Sequence, residues 1–140
     1  MSVLLDTNVI SETTRHTPDK NVLRFLETLD TARVSVVTIH ELQFGICRLP
    51  LGQRRADLTA AIDAFLAAFD DTVLDVDRAI ARRAGQLRAD AHATGRTLHF
   101  ADALIAATAL EHGLHLATRN ASDFEGLGLR IVNPWVMTDL

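Results

Sequence analysis

One carboxylate, Asp102, sits inside the run Phe100-Ala101-Asp102-Ala103-Leu104-Ile105-Ala106-Ala107, which is otherwise apolar. A helix that is apolar on nearly every side is a buried helix. A carboxylate on such a helix must be paired, bound to a cation or neutralised, because burying a bare charge costs far more than one residue contributes to folding. No arginine lies in the flanking turns, and the one lysine, Lys20, is remote in sequence. Three other polar groupings are available to meet it: Asp6-Thr7-Asn8, Thr38-Ile39-His40-Glu41 and Thr118-Arg119-Asn120-Ala121-Ser122-Asp123. If they converge, they build an acidic metal site.

The 140 residues suit a single domain spanning 1–140 with one core. A hydrophobic content of 48% argues against disorder. The net charge of -4 excludes binding to nucleic acid through a general basic coat. It leaves room for a nucleic-acid enzyme, because bound metal ions supply local positive charge. Cys47 has no partner cysteine for an internal disulfide, which fits a reducing cytoplasm. The run Val3-Leu4-Leu5 is too short for a signal-peptide core, and no apolar segment approaches membrane-spanning length.

Short apolar runs ending in polar residues mark buried parallel strands. Val3-Leu4-Leu5, Val34-Ser35-Val36-Val37, Thr72-Val73-Leu74-Asp75, Leu114-His115-Leu116-Ala117 and Leu129-Arg130-Ile131-Val132 read this way. Between them fall helical patterns: a turn near Asn8 to Glu12, a helix carrying Val22, Phe25, Leu26 and Leu29, and one starting at Thr38 as N-cap and running to about Leu49. Three more follow: one with Leu58, Ala61, Ile62, Phe65, Leu66 and Phe69 on a face, one capped by Asp77, and the buried helix from Phe100 to Glu111, closed by Gly113. Strands alternating with helices predict a three-layer α/β/α domain around a parallel sheet of about five strands. Two helices separate the third and fourth strands, so an extended connection is expected over residues 93–99.

In open parallel sheets, ligands bind beyond the carboxyl ends of the strands. Asp6 closes the first strand, Glu41 lies one turn into the helix leaving the second, and Asn120 and Asp123 follow the fourth. Asp102 opens the helix that returns towards the fourth. Clustered carboxylates raise one another's pKa values and tolerate proximity best around a divalent cation. All-oxygen ligation suits Mg²⁺, with Mn²⁺ able to substitute. Such an ion polarises a phosphoryl oxygen and activates water, which makes phosphodiester hydrolysis the natural chemistry.

Five segments carry a family resemblance: Leu4-Leu5-Asp6-Thr7-Asn8-Val9-Ile10-Ser11-Glu12, Glu41 in a Thr-x-x-Glu-Leu context, Ala101-Asp102-Ala103-Leu104-Ile105-Ala106-Ala107, Ala117-Thr118-Arg119-Asn120-x-x-Asp123-Phe124 and Asn133-Pro134-Trp135. In this order the chain resembles the PIN-domain ribonucleases, most of all VapC-type toxins of the FitB-like branch. The resemblance implies a metal-dependent endoribonuclease leaving a 5′-phosphate and a 3′-hydroxyl. Asp6, Glu41 and Asp102 match its three central acidic, metal-holding positions. The fourth acidic position falls on Asn120, here an amide, or on Asp123. Thr7, Asn8 and Thr118 match polar positions that orient the site. The resemblance also implies a homodimer, a cognate VapB-type antitoxin that enters the acidic pocket, and operator DNA bound only through that antitoxin.

Each residue has a plainer role to weigh. Asp6 suits the cap of a turn. Thr38 and Glu41 have the spacing of a capping box. Asp123 and Asn120 suit a loop. Asp102 has the weakest such alternative, since capping does not explain a carboxylate among alanine and leucine. His99 stands near Asp102, and Trp135 reads as a C-terminal plug. Two rival functions remain: a non-catalytic module whose acidic pocket docks a basic peptide, and a receiver-like phosphoacceptor. The second needs an acceptor such as Asp75 or Asp77 and a late lysine, which the chain lacks.

Overall fold

A computed structural model of the chain describes residues 1–136. Five strands form one sheet: β1 Ser2–Leu5, β2 Thr31–Ser35, β3 Val73–Leu74, β4 His115–Ala117 and β5 Ile131–Val132. Their spatial order is β3-β2-β1-β4-β5, and every pair is parallel. Six helices surround them: α1 Thr7–Thr13, α2 Lys20–Glu27, α3 Val36–Cys47, α4 Gln53–Ala67, α5 Arg78–Ala93 and α6 Phe100–His112.

Side chains on a strand alternate between its two faces. Along β1, Val3 and Leu5 enter a core with Val9, Ile10, Val22, Phe25, Leu42, Ile46 and Ile62, from α1 to α4. Leu4 faces the other way, towards Ile105, Ala106, Ala109, Leu116 and Phe124. The expected α/β/α layering follows from this alternation. α6 then buries every residue from Ala103 to Ala109. Its alanines let α5 lie close, through Ile80, Ala84 and Ala91 against Ala103, Leu104 and Ala107.

Several boundaries differ from the sequence expectation, and three bear on the site. The second strand ends at Ser35, which caps α3 by accepting from Val37 N (3.0 Å). Thr38 is therefore inside the helix, and its buried hydroxyl has no hydrogen-bond partner among the described residues. Residues 93–99 are not a fully extended crossing: the chain turns at Thr94 and Gly95, and α5 packs on α6 as a helical hairpin. That packed pair, rather than one long loop, carries the chain from edge strand β3 back to β4. The third strand is reduced to Val73–Leu74. Because β3 is an edge strand separated from β1 by β2, Asp75 and Asp77 do not join the central strand end. Asp77 caps α5 instead, accepting from Ile80 N (2.9 Å).

α6 ends in a reverse turn at Gly113, with φ 63°. Leu114 N donates to Ala109 O (2.9 Å) and Gly113 N to Leu110 O (3.3 Å), so the last carbonyls are satisfied. No atom crowds a side chain at Gly113, and none crowds one at Gly45 within α3. The two sites therefore separate backbone effects from packing. Gly113→Ala should lower stability by about 1 kcal/mol, because the left-handed conformation is strained with a Cβ. Gly45→Ala should raise it by roughly 0.5–1 kcal/mol, through helix propensity. Chemical denaturation of both variants checks the pair; changes of the same sign would contradict this account.

Candidate active site

Asp6 directly follows the central strand, and its backbone N–H extends the ladder to Ala117 O (2.9 Å). Its side chain caps α1: Oδ1 accepts from Thr7 N (2.8 Å). Oδ2 accepts from Thr118 Oγ1 (2.8 Å) and from Asn8 Nδ2 (3.4 Å). The capping role and the site role thus fall on one carboxylate. Thr118 is fully buried, and its oxygen also accepts from Asn120 N (3.1 Å). Asn8 Oδ1 accepts from Arg119 N (3.2 Å), which ties α1 to the segment after β4.

Glu41 does not close a capping box. Its Oε1 accepts from Thr7 Oγ1 (2.8 Å), so the first turn of α1 holds the α3 carboxylate. Asp102 lies in the first turn of α6, where positive helix-end charge favours an anion. Its carboxylate accepts no hydrogen bond from any described residue. Asp6, Thr7, Asn8, Glu41, Asp102 and Asn120 line one cavity of about 490 Å³ at the carboxyl ends of the strands. Asp123 is not part of that lining, but its charge is felt by both Asp6 and Asp102. It sits on the short 3-10 turn Ala121–Phe124, anchored by buried Phe124. Arg96 secures this turn by donating to the Asp123 and Glu125 carbonyls.

The electrostatics follow from this crowding. Desolvation raises the Asp6 pKa above its ordinary value, against the hydrogen bonds of Thr118 and Thr7, and the Glu41 and Asp123 charges raise it further. Burial likewise lifts Asp102, followed by the charges of Asp6, Asp123 and Glu41, to about 6. His99 acts in the opposite direction. The donors are oxygens, the set a hard divalent cation takes. Among the described residues, no three His, Cys, Asp or Glu side chains form a direct ligand cluster for one ion. An ion here would therefore keep part of its water shell between itself and the carboxylates.

Sequence reasoning missed part of the lining. Ser11, Glu12, Arg15, Arg119 and Trp135 also line the cavity. Glu12 is buried, accepting from Asp19 N (2.9 Å) and pairing with Arg15 (3.4 Å). Residues 8, 11 and 12 share one face of α1, which carried this signal, and Arg15 follows just past its end.

A family model described as PIN domain matches residues 3–127. The chain belongs to the PIN-domain family. A VapC ribonuclease of Sinorhizobium fredii is 40% identical over 136 residues, covering 95% of this chain and 97% of the relative. Toxin FitB of Neisseria gonorrhoeae is 35% identical, covering 95% and 98%. A solved structure of FitAB bound to a DNA fragment superposes with a TM-score of 0.90 at 32% identity, over 99% of both chains. Within the PIN family the chain falls in the VapC and FitB group. No helix among the described residues is long and apolar enough to cross a membrane.

Both raised carboxyls hold protons more tightly folded than unfolded. For Asp102 the stabilising contribution is fully present below about 3.8 and is lost as pH rises through about 6, and Asp6 acts in the same direction. Metal-free protein should therefore melt at lower temperature at pH 8 than at pH 5. Asp102→Asn should flatten that slope and raise stability at pH 8 by on the order of 1 kcal/mol, after allowing for solvent screening of a half-buried group. Melting curves in chelator check both; a melting temperature that rises from pH 5 to pH 8 would overturn the sign.

Proposed function

We propose that this chain is a divalent-metal-dependent endoribonuclease, the toxin of a toxin–antitoxin pair, and that residues 1–140 form one PIN domain. The observation that carries this reading is Asp102: a half-buried carboxylate, raised to about 6, with no hydrogen-bond donor among the described residues and three acidic neighbours. A bound cation would supply the counter-charge that His99 gives only in part. Mg²⁺, or Mn²⁺ in its place, fits the oxygen donors of Asp6, Glu41 and Asp102, partly through water. Asp123 or Asn120 completes the pocket. When bound, the ion supplies a Lewis acid for the phosphoryl oxygen and a water of lowered pKa.

The protein's own contribution is positioning. Thr7 fixes two carboxylates at once, Asp6 through its amide and Glu41 through its hydroxyl. Thr118 and Asn8 set the orientation of the second Asp6 oxygen. Together they hold the oxygens apart at the strand ends, so the repulsion between them is relieved by an ion and not by collapse. Such partners around ligating carboxylates set affinity and activity.

The same pocket suits inhibition by a basic side chain of a cognate VapB-type antitoxin, since the cavity already carries uncompensated negative charge. The FitAB neighbour, a complex bound to a DNA fragment, supports a partner and a DNA site; that the DNA is contacted only through the antitoxin is part of this proposal. A net charge of -4 agrees with a toxin that does not grip DNA itself. A homodimer and a cytoplasmic place of action complete the reading.

Purified protein should cut single-stranded RNA on addition of Mg²⁺ or Mn²⁺ and stop in chelator. Asp6→Asn and Asp102→Asn should each lower kcat/KM by on the order of 100-fold, and Thr118→Ala by about tenfold. Gel analysis of cleavage over varied RNAs measures this. Intact RNA with folded wild-type protein and metal would favour the peptide-docking alternative.

A further inference from the structure

Arg119 enters the acidic cavity without pairing with it. It lines the same space as Asp6, Glu41 and Asp102. Yet among the described residues no carboxylate lies within ion-pair distance of it, and its guanidinium donates no hydrogen bond. The guanidinium carbon lies 5.1 Å from the centroid of the Trp135 ring. Arginine stacked on an aromatic face keeps its in-plane N–H fork directed away from the ring, free for a planar or tetrahedral oxyanion.

The backbones of both residues are fixed. Asn133 Nδ2 donates to Arg119 O (3.4 Å), and Asn133 Oδ1 accepts from Trp135 N (3.0 Å). One amide side chain thus clasps the two. Asn8 Oδ1 accepts from Arg119 N (3.2 Å), and Asn21 Nδ2 donates to Trp135 O (3.0 Å). Arg15, the other arginine in the lining, is different: buried Glu12 already neutralises it at 3.4 Å. Arg119 is therefore the cavity's uncommitted, pre-organised cation.

We infer that Arg119, stacked on Trp135, is a substrate-binding residue that holds a backbone phosphate of single-stranded RNA beside the acidic pocket. This rests on the ribonuclease reading above. The contact is to a phosphate and not to a base, so it binds without selecting sequence. It supplies an attractive charge in a cavity that otherwise repels RNA.

The test uses full-length protein and one labelled single-stranded RNA that wild type cleaves. Arg119→Gln should raise KM by about tenfold while kcat stays within roughly threefold, a loss of uniform binding. Affinity for the same RNA in Ca²⁺, read by anisotropy, should fall, and the slope of log K against log salt should become shallower by about 0.7, one phosphate contact on a single strand. Trp135→Leu should raise KM while keeping the wild-type salt slope, because the charge remains but its platform is gone. Melting temperatures confirm that the variants are folded. Unchanged KM and salt slope in folded Arg119→Gln would overturn the inference, as would a fall in kcat alone. If wild type cuts no RNA at all, the ribonuclease reading itself fails, which is a separate result.

Discussion

Repulsion among carboxylates at one sheet edge is the constraint around which the rest of this molecule is arranged. β1 lies at the centre of the sheet, with β2 on one side and β4 on the other. Whatever follows each of these three strands must meet at the same rim. Asp6 follows β1 directly, Glu41 comes from the helix after β2, and Thr118 to Asn120 come after β4. The topology forces the meeting, and the hydroxyls of Thr7 and Thr118 make it tolerable. Both donate to carboxylates, and the Thr118 bond favours the charged form of Asp6. For Asp6 that help is outweighed by burial, since the net pKa change is upward.

Asp102 shows the same balance from the other layer. The first turn of α6 offers it the positive end of a helix, worth about 0.3–1 kcal/mol for an anion. Desolvation and three like charges nevertheless raise it to about 6. The unfavourable effects win because α6 is buried from Ala103 to Ala109, so the helix cannot tilt its first turn out to water without opening the Ala103, Ala107 and Ala84 contact. Packing that is purely apolar thereby fixes a charge where the chain alone cannot satisfy it. A stable fold with an unmet charge at its rim suits the divalent cation proposed above.

The sheet, its parallel sense and most helix positions were legible because they rest on periodic apolar spacing and on capping residues such as Asp77 and Gly113. The carboxylate cluster was legible because strand ends in parallel sheets share one rim. The start of α3 was not. Val34-Ser35-Val36-Val37 has strand propensity, but Ser35 caps a helix that takes Val36 and Val37, a case of tertiary context overriding local preference. The shift moves Glu41 deeper into the helix, away from the position that a capping box requires, and leaves it to Thr7. The turn at Thr94 and Gly95 was missed because reach along the chain says only what a connection can span. The Arg119–Trp135 pair was hidden for a different reason. The two residues meet only because β5 returns beside β4, and no period in the sequence encodes that.

One question is why Arg119 and the carboxylates share a cavity without forming an ion pair. A half-buried pair would relieve Asp102 at once and close the pocket. Two sets of restraints oppose this. Threonine hydroxyls hold Asp6 and Glu41 on one side, while the ring of Trp135 and the amides of Asn8 and Asn133 hold Arg119 on the other. Moving the guanidinium across would forfeit a cation–π contact worth roughly 0.5–2 kcal/mol. It would also desolvate a longer stretch of a flexible side chain. The cavity thus keeps a surplus of both signs, separated by a short gap. A phosphodiester accompanied by a divalent cation carries the complementary charges in that order: anion towards the arginine, cation towards the acids. Either surplus alone would suit many ligands; the two together suit the metal-bearing phosphate chain proposed above.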